Sequence, residues 1–300
     1  MDAHLAQCNF VLERIVQVIF LNGAWMPIED AKVSVLDRGF IYGDGVYEYV
    51  PVINGKPYRL EGHLVRLHNS CKEIGLKNPY SHGEWTELVK QIVEKNGTHD
   101  QGVYWQITRG VAKRDHSFPV GVAPTVFMMS NPLPKLTQEQ IDNGVPCFTF
   151  PDTRWHRCHI KSISLLGNVL AKQHASEQGG AEVVMLRDGF LTEAAASNVF
   201  CVFGDTIVSA PKDHHILGGI TLDAVFDLAK KAGMKLEVRP VSEAQMWAAD
   251  EMWLSSSSKG VLAITTLDDK PIGSAAHKGK PGPVFKKMFA LVQADLFGAH

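Results

Sequence analysis

The chain has 300 residues, of which 45% are hydrophobic and 21% are charged, and its 30 basic and 32 acidic residues leave a formal net charge of −2. At roughly 100–200 residues per domain, this length predicts two domains with sizeable cores, and the hydrophobic share excludes a largely disordered chain. A protein that mainly binds nucleic-acid phosphates normally carries a basic excess, so nucleic-acid binding is disfavoured.

Membrane and secretory segments are also disfavoured. The most apolar early stretch, residues 10–21, is interrupted by Glu13, Arg14 and Gln17, and it is too short and too charged for a spanning helix or a secretory signal. The five cysteines are odd in number and form no C-x-x-C pair, which argues against a disulfide framework. These features favour a reduced, cytoplasmic enzyme without a membrane or nucleic-acid partner.

The first half of the chain predicts strands followed by helices. Asn22-Gly23 and Asn54-Gly55 are hairpin signals, each flanked by β-branched or aromatic residues. Apolar residues at helical spacing and further β-rich runs extend the pattern. We expect helices over residues 62–74 and 84–95 and strands over residues 103–109 and 125–130.

Two prolines in Asn131–Pro134 predict a linker, which divides the chain into domains at 1–131 and 132–300. The second half alternates strand and helix patterns, with Gly233 placed where a helix ends. The whole pattern predicts a mixed α/β or α+β fold. We expect helices over 165–177 and 222–232 and strands over 181–186, 190–193, 198–203, 206–210 and 251–254.

Lys161 is the first candidate catalytic residue. It follows an alternating segment that starts at Arg154, and it directly precedes an apolar helix. A buried amine with a lowered pKa at such a junction can form a Schiff base with an aldehyde, although a surface lysine at a strand end is the common alternative. A zinc site at His156, Cys158 and His159 is disfavoured, because on a strand the two histidines would face opposite sides.

Glu193 is the second candidate. It precedes the run of small residues 194–197, which would let a flat molecule approach the backbone. A carboxylate beside such a slot can pair with a protonated ring nitrogen, whereas the alternative is a solvent-facing glutamate in a tight bend.

Two segments have the composition of an anion site. Leu217–Thr221 leads into a helix, whose N-terminal N–H groups and dipole favour negative charge, and Ser255–Ser258 offers hydroxyls. Arg66 can add a bidentate phosphate contact. A Schiff-base lysine, an acid for a pyridinium nitrogen and a phosphate site are together what pyridoxal 5′-phosphate requires.

Long segments of the chain resemble the class IV, fold-type IV pyridoxal-phosphate aminotransferases. They are Asp37–Glu48, Ile160-Lys161, Leu191–Phe200 and Leu217–Thr221, and the resemblance extends from about residue 20 to the last helix, whereas residues 1–17 lie outside it and receive no role. The resemblance implies a small N-terminal domain, a larger C-terminal domain, a cofactor cleft between them and a homodimer.

The resemblance also implies roles for individual residues. Lys161 would bind the cofactor covalently and then move the α-proton, Glu193 would pair with the pyridine nitrogen, and Leu217 would pack against the ring. The phosphate would be held by Arg66, Ile220, Thr221, Ser256 and Ser257.

Three further residues match the D-amino acid aminotransferases of this family. Tyr47 and the pair Arg114 and His116 correspond to the groups that bind the substrate α-carboxylate there, and in those relatives the pair reaches in from the partner subunit. All three side chains can donate hydrogen bonds to one carboxylate. Composition alone would make the loop around Arg114 a solvated turn. Ala196 departs from the pattern, because the D-specific relatives tend to have a serine there.

The leading hypothesis is therefore a transaminase that moves the amino group of a D-amino acid, such as D-alanine, to a 2-oxo acid, such as 2-oxoglutarate, with ping-pong kinetics. A branched-chain L-amino acid aminotransferase is the second hypothesis, since it would use the same scaffold without the arginine–histidine loop. An aminodeoxychorismate lyase and a non-catalytic carrier of the cofactor are further alternatives.

Overall fold

The computed structural model describes residues 17–97 and 99–298, so residues 1–16, to which the sequence assigned no role, lie outside it. The first part of the chain forms an antiparallel sheet flanked by helices. Its elements are β1 (Val18–Leu21), β2 (Ala24–Pro27), a 3₁₀ turn (Ile28–Asp30), α1 (Arg38–Tyr42), β3 (Gly45–Ile53), β4 (Lys56–Pro57), α2 (Leu60–Glu73), α3 (His82–Lys95), β5 (Gln101–Thr108) and β6 (Thr125–Pro132).

Strands of this first sheet lie in the order β2-β1-β6-β5-β3-β4. Both predicted hairpins are confirmed: Asn22 and Gly23 join β1 to β2, and Asn54 and Gly55 join β3 to β4, all with the positive φ that such tight turns require. The helices α2 and α3 bury their apolar faces on the sheet, where Trp85 stacks on Trp105.

The second part is a larger sheet with helices. Its elements are α4 (Gln138–Asn143), β7 (Val145–Pro151), α5 (Leu166–Glu177), β8 (Glu182–Arg187), β9 (Phe190–Ala194), β10 (Asn198–Phe203), β11 (Thr206–Ser209), α6 (Ile220–Lys231), β12 (Lys235–Val238), α7 (Glu243–Trp247), β13 (Glu251–Ser256), β14 (Gly260–Leu267), β15 (Lys270–Pro271) and α8 (Pro283–Phe297).

This second sheet mixes parallel and antiparallel pairs. Its order is β12-β11-β10-β13-β14-β7-β8-β9, with β15 added on β14, and β7 runs parallel to both of its neighbours. One apolar core lies around β13 and β14, and a second lies between the sheet and α6 and α8. The predicted α+β class is confirmed.

Two local predictions were wrong. Residues 154–161 are not a strand, because β7 ends at Pro151 and residues 152–165 form an irregular loop before α5. The expected linker also begins later, because Asn131 and Pro132 still belong to β6, where Pro132 lies opposite Gln101. A proline is tolerated at such a strand end because few ladder hydrogen bonds remain to be made there.

The loop 152–165 is fixed against the first sheet. The backbone N–H of Tyr47 donates to the carbonyl oxygen of Lys161 at 2.9 Å, and Val46 forms a bridge with Ser162. The N–H of Lys161 in turn donates to Ser70 Oγ at 3.2 Å. The two sheets therefore meet at the candidate catalytic lysine. Among the helices of residues 17–97 and 99–298, none combines the length and the apolar character needed to cross a bilayer.

Candidate active site

A cleft of about 740 Å³ collects most of the residues that the sequence singled out. Its volume lies in the range of small-molecule and cofactor sites. Arg114 and His116 do not line it. The predicted site residues along its wall are Tyr47, Arg66, Lys161, Glu193, Leu217, Ile220, Thr221, Ser256 and Ser257, and Ala196 lies there too.

The amine of Lys161 points into the cleft above an aromatic ring. Its Nζ lies 4.2 Å from the ring centroid of Tyr47, and no carboxylate of the described residues lies within ion-pair distance of it. An amine without a carboxylate partner gives up no ion pair when it reacts, so Lys161 is placed for covalent and proton-transfer chemistry.

Glu193 is buried on β9 at another part of the cleft. Its carboxylate accepts hydrogen bonds from Arg154 Nη1 at 2.6 Å, from Asn198 Nδ2 at 3.0 Å and from the N–H of Leu217 at 3.1 Å. Burial raises the pKa of Glu193 to about 7, although the Arg154 guanidinium opposes that rise. Such a carboxyl is ready to share a proton or a charge with a ring nitrogen.

Arg154, which sequence reasoning missed, holds the Glu193 carboxylate in place. Its guanidinium also donates to both carboxylate oxygens of Asp152 at 2.9 Å, and Arg187 lies 3.0 Å from the same carboxylate. Burial acts to raise the pKa of Asp152, but these arginines and Thr192 hold it at about 2. The network keeps the acid side chain of the cleft fixed. An arginine directly after a buried strand and an aspartate was the available signal.

The opposite part of the cleft is an anion site at the start of α6. The N-cap of α6 is Gly219, so no side chain caps the first N–H groups of Ile220 and Thr221. Gly219 is required there, because a Cβ atom would collide with Asn198 Oδ1. Ser255 Oγ is buried without a hydrogen-bond partner among the described residues, and Ser256 and Ser257 follow it along the cleft wall. Free donors of this kind suit a phosphate group.

Arg66 is held at the same end by a buried carboxylate. Its Nε and Nη2 donate to Glu48 at 2.8 and 2.7 Å, and its Nη1 donates to the carbonyl oxygen of Gly218 at 2.9 Å. His63 contacts the same carboxylate at 2.8 Å. Burial alone would raise the pKa of Glu48, but Arg66 and His63 hold it at about 2. Glu48 therefore fixes the position of the guanidinium that faces the anion site.

We expect Glu48→Gln to lower the free energy of unfolding of the cofactor-free protein by about 3–5 kcal/mol near pH 7, because it leaves Arg66 without its counter-ion. The pKa of Glu48 is depressed in the folded protein, so its contribution is present above the unfolded pKa and is lost as the pH falls towards about 2. Urea unfolding at several pH values measures this. The difference from the wild type should shrink in acid, whereas Glu94→Gln on the exposed face of α3 should unfold like the wild type throughout.

The two remaining predicted residues lie away from this cleft in the same chain. Arg114 and His116 lie in the loop before β6, where both pack on the ring of Tyr42, at 5.4 Å from its centroid in each case. Arg38 holds that loop by donating to the carbonyl oxygens of Ser117 and His116. The loop is therefore ordered, and it offers its cationic groups outside its own cleft.

The arrangement fits pyridoxal 5′-phosphate. The unpartnered amine of Lys161, the buried carboxyl of Glu193 and the uncapped start of α6 lie along one cleft, and the buried Ser255 hydroxyl lacks a partner there. These are the groups needed to hold an aldehyde carbon, a ring nitrogen and a phosphate, respectively. The flat surface between them is bordered by small residues, Ala194–Ser197.

Comparison with known proteins gives the class of this fold and site. The family described as "Amino-transferase class IV" matches residues 45–267. The chain belongs to the class IV aminotransferase family, and it is an enzyme of that class.

Individual relatives narrow the resemblance. The chain is 37% identical over 278 residues to a D-alanine aminotransferase of Bacillus licheniformis, and the match covers 93% of this chain and 96% of the relative. Among solved structures it is similar to a branched-chain amino acid aminotransferase of Escherichia coli, with a TM-score of 0.85, 26% identity and coverage of 95% and 94% of the two chains. A branched-chain amino acid aminotransferase of T.th., solved with pyridoxamine 5′-phosphate, gives a TM-score of 0.87 at 26% identity, with 95% of each chain covered.

Proposed function

We propose that this protein transfers the amino group of a D-amino acid, such as D-alanine, to a 2-oxo acid, such as 2-oxoglutarate, with pyridoxal 5′-phosphate as cofactor. The observation that carries the proposal is the cleft in which Lys161, Glu193 and the start of α6 meet. The 37% identity to a D-alanine aminotransferase favours the D-amino acid over the branched-chain L-amino acid, because the branched-chain structures are 26% identical.

Each group of the cleft has a distinct task. When bound, the cofactor supplies an electron sink for the bonds of the substrate α-carbon. The Lys161 amine binds the cofactor and accepts and returns the α-proton, a role that suits a flexible amine without a carboxylate partner. Glu193 keeps the ring nitrogen protonated, and Leu217 packs against the ring. Arg66, Ile220, Thr221, Ser256 and Ser257 hold the phosphate, with Ser255 beside them.

Stereospecificity is tested with a matched panel of D- and L-amino acids under single-turnover conditions, following the cofactor absorbance. We expect D-alanine to react and to yield pyruvate, with an amino group passed to 2-oxoglutarate in a second half-reaction. A protein that reacts with L-leucine and not with D-alanine would instead be a branched-chain enzyme, the assignment that the solved relatives favour.

We further propose a homodimer in which Tyr47 of one protomer and the Arg114–His116 loop of its partner together bind the substrate α-carboxylate. Arg114 and His116 are ordered outside their own cleft. The face of α5 just after Lys161 exposes Leu166, Val169 and Leu170, an apolar stripe at helical spacing. Exposed apolar stripes of this kind mark protein contacts, and a second copy would cover this one while bringing the loop to the cleft.

Mixed dimers test the shared site. Arg114→Ala and Lys161→Ala should each be inactive alone, because one lacks the carboxylate contact and the other lacks the amine. If each cleft uses Arg114 of the partner, half of the hybrid's sites carry both changes and half carry neither. A statistical mixture from co-expression should then regain about a quarter of the wild-type activity. A mixture as inactive as its parents would show that each protomer uses its own Arg114.

Two organisational proposals complete this assignment. The domains would be 1–131 and 132–300, which is supported by the separate core of each sheet. A cytoplasmic location is supported by the buried, free thiols of Cys71, Cys147, Cys158 and Cys201. Limited proteolysis near residues 133–137 and fractionation of the producing cell are the respective tests.

A further inference from the structure

Three histidines outside the cleft form a cluster that the proposed reaction does not use. One ligand nitrogen from each of His156, His214 and His215 can be chosen so that all three lie within 4.8 Å of one another. His156 belongs to the loop 152–165, which carries Lys161, and the other two belong to the loop between β11 and α6, which carries Leu217. None of the three rings lines the cleft.

The backbones of the two loops are already tied together at this point. The N–H of Cys158 donates to the carbonyl oxygen of His214 at 2.8 Å, and Arg154 Nη2 donates to that of His215 at 3.1 Å. The three rings are therefore presented from a fixed frame. The centroid of the His156 ring lies 5.4 Å from that of His215 and 6.2 Å from that of His214.

A carboxylate orients one of these rings. Asp213 Oδ2 lies 3.4 Å from His215 Nδ1, and Asp213 Oδ1 accepts a hydrogen bond from the His215 backbone N–H at 2.7 Å. A carboxylate that engages one ring nitrogen leaves the other free for a metal, an arrangement found behind most metal-binding histidines. Asp213 also supplies negative charge beside the cluster.

The neighbouring residues that the sequence brought forward for a zinc site lie elsewhere. His159 Nε2 faces Glu73 at 3.6 Å, and the Cys158 thiol donates to the carbonyl oxygen of Trp155 at 3.1 Å. Only His156 of that set belongs to the cluster, because its partners come from a loop almost 60 residues further along the chain.

We propose that His156, His214 and His215 bind a divalent transition-metal ion of the zinc class, with water completing the coordination. Imidazole nitrogen is a preferred ligand of Zn²⁺, at about 2.0–2.1 Å from the metal. Small rotations of these rings bring the nitrogens to that distance, since His156 and His214 are exposed. The ion links the loop of Lys161 to the loop of Leu217, and so fixes two walls of the cleft against each other.

The site is tested on the cofactor-loaded protein without a polyhistidine tag, dialysed against Zn²⁺ alone, with the bound metal measured by mass spectrometry. We expect one zinc ion per chain and a Kd that rises at least about tenfold in His156→Gln and in His215→Gln, with a similar rise in Asp213→Asn. His68→Gln, a change on the exposed face of α2, is the matched control and should bind zinc like the wild type.

Thermal unfolding gives an independent readout. Zinc at about 100 times its Kd should raise the Tm of the wild type and of His68→Gln by several degrees, and should leave the cluster variants unmoved. Circular dichroism of the metal-free variants checks that they fold. The proposal is overturned if the wild type binds no zinc, or if the cluster variants bind it with unchanged affinity. Neither result bears on the transaminase assignment, which the amino-acid panel tests separately.

Discussion

Lys161→Ala is expected to lower kcat for D-alanine by about 10³–10⁴-fold, because it removes the only amine of the described residues that lines the cleft. A positioned general acid–base typically contributes a factor of about 10²–10⁴, and the loss of covalent cofactor attachment adds to it. The variant should still bind the cofactor through the phosphate end, since Arg66 and the start of α6 are unchanged. Single-turnover kinetics and equilibrium dialysis measure the two properties.

Lys90→Ala is the matched control for that change. Lys90 lies on the exposed face of α3, where its amine is 4.0 Å from Glu94, and it should keep the wild-type kcat. Partial recovery of Lys161→Ala by an added primary amine would identify the missing group as a proton carrier. A kcat within a few-fold of the wild type would contradict a catalytic role and would favour a protein that only carries the cofactor.

The parts of the fold that could be predicted are those encoded locally. Asn-Gly pairs fix the two hairpins of the first sheet because their backbone conformation is a property of two adjacent residues. The spacing of apolar residues likewise located α2, α3 and α5. The loop 152–165 was misjudged as a strand, because alternation is a property of sequence and the tethers to Ser70 and Tyr47 are not.

The candidate site divides along the same line. Lys161, Glu193 and the start of α6 could be singled out because each lies in a short segment with its own chemical signature. Arg154 was missed because its importance depends on Glu193, 39 residues away. Glu48 was a detectable omission, since it alternates with the buried Val46 and Val50 on β3 and a charged residue on a core-facing position requires a partner.

Glu193→Gln is expected to lower kcat by about 10²–10³-fold, the usual effect of removing one fixed electrostatic group from an active site. The amide cannot hold a proton on the cofactor ring nitrogen, so the electron sink is weakened while the phosphate contacts remain. The change should appear mainly in kcat, with cofactor affinity reduced much less. A variant whose kcat stays near that of the wild type would show that another group protonates the ring.

The same substitution should affect stability in the opposite direction. The pKa of Glu193 is raised in the folded protein, so its contribution to stability is fully present below the unfolded pKa and is lost as the pH rises through about 7. At about pH 8 the cofactor-free wild type therefore holds an unfavourable buried charge, and Glu193→Gln relieves up to about 3 kcal/mol of that cost, less what Arg154 loses as its partner.

Glu182→Gln separates the two effects. Glu182 is as buried as Glu193, and burial also raises its pKa, but it lies on β8 away from the cleft. Both variants should gain stability relative to the wild type as the pH rises, in urea unfolding of the cofactor-free protein. Only Glu193→Gln should lose activity. Equal losses of kcat in both variants would mean that buried charge in this sheet acts on catalysis through folding, and not through contact of Glu193 with the cofactor.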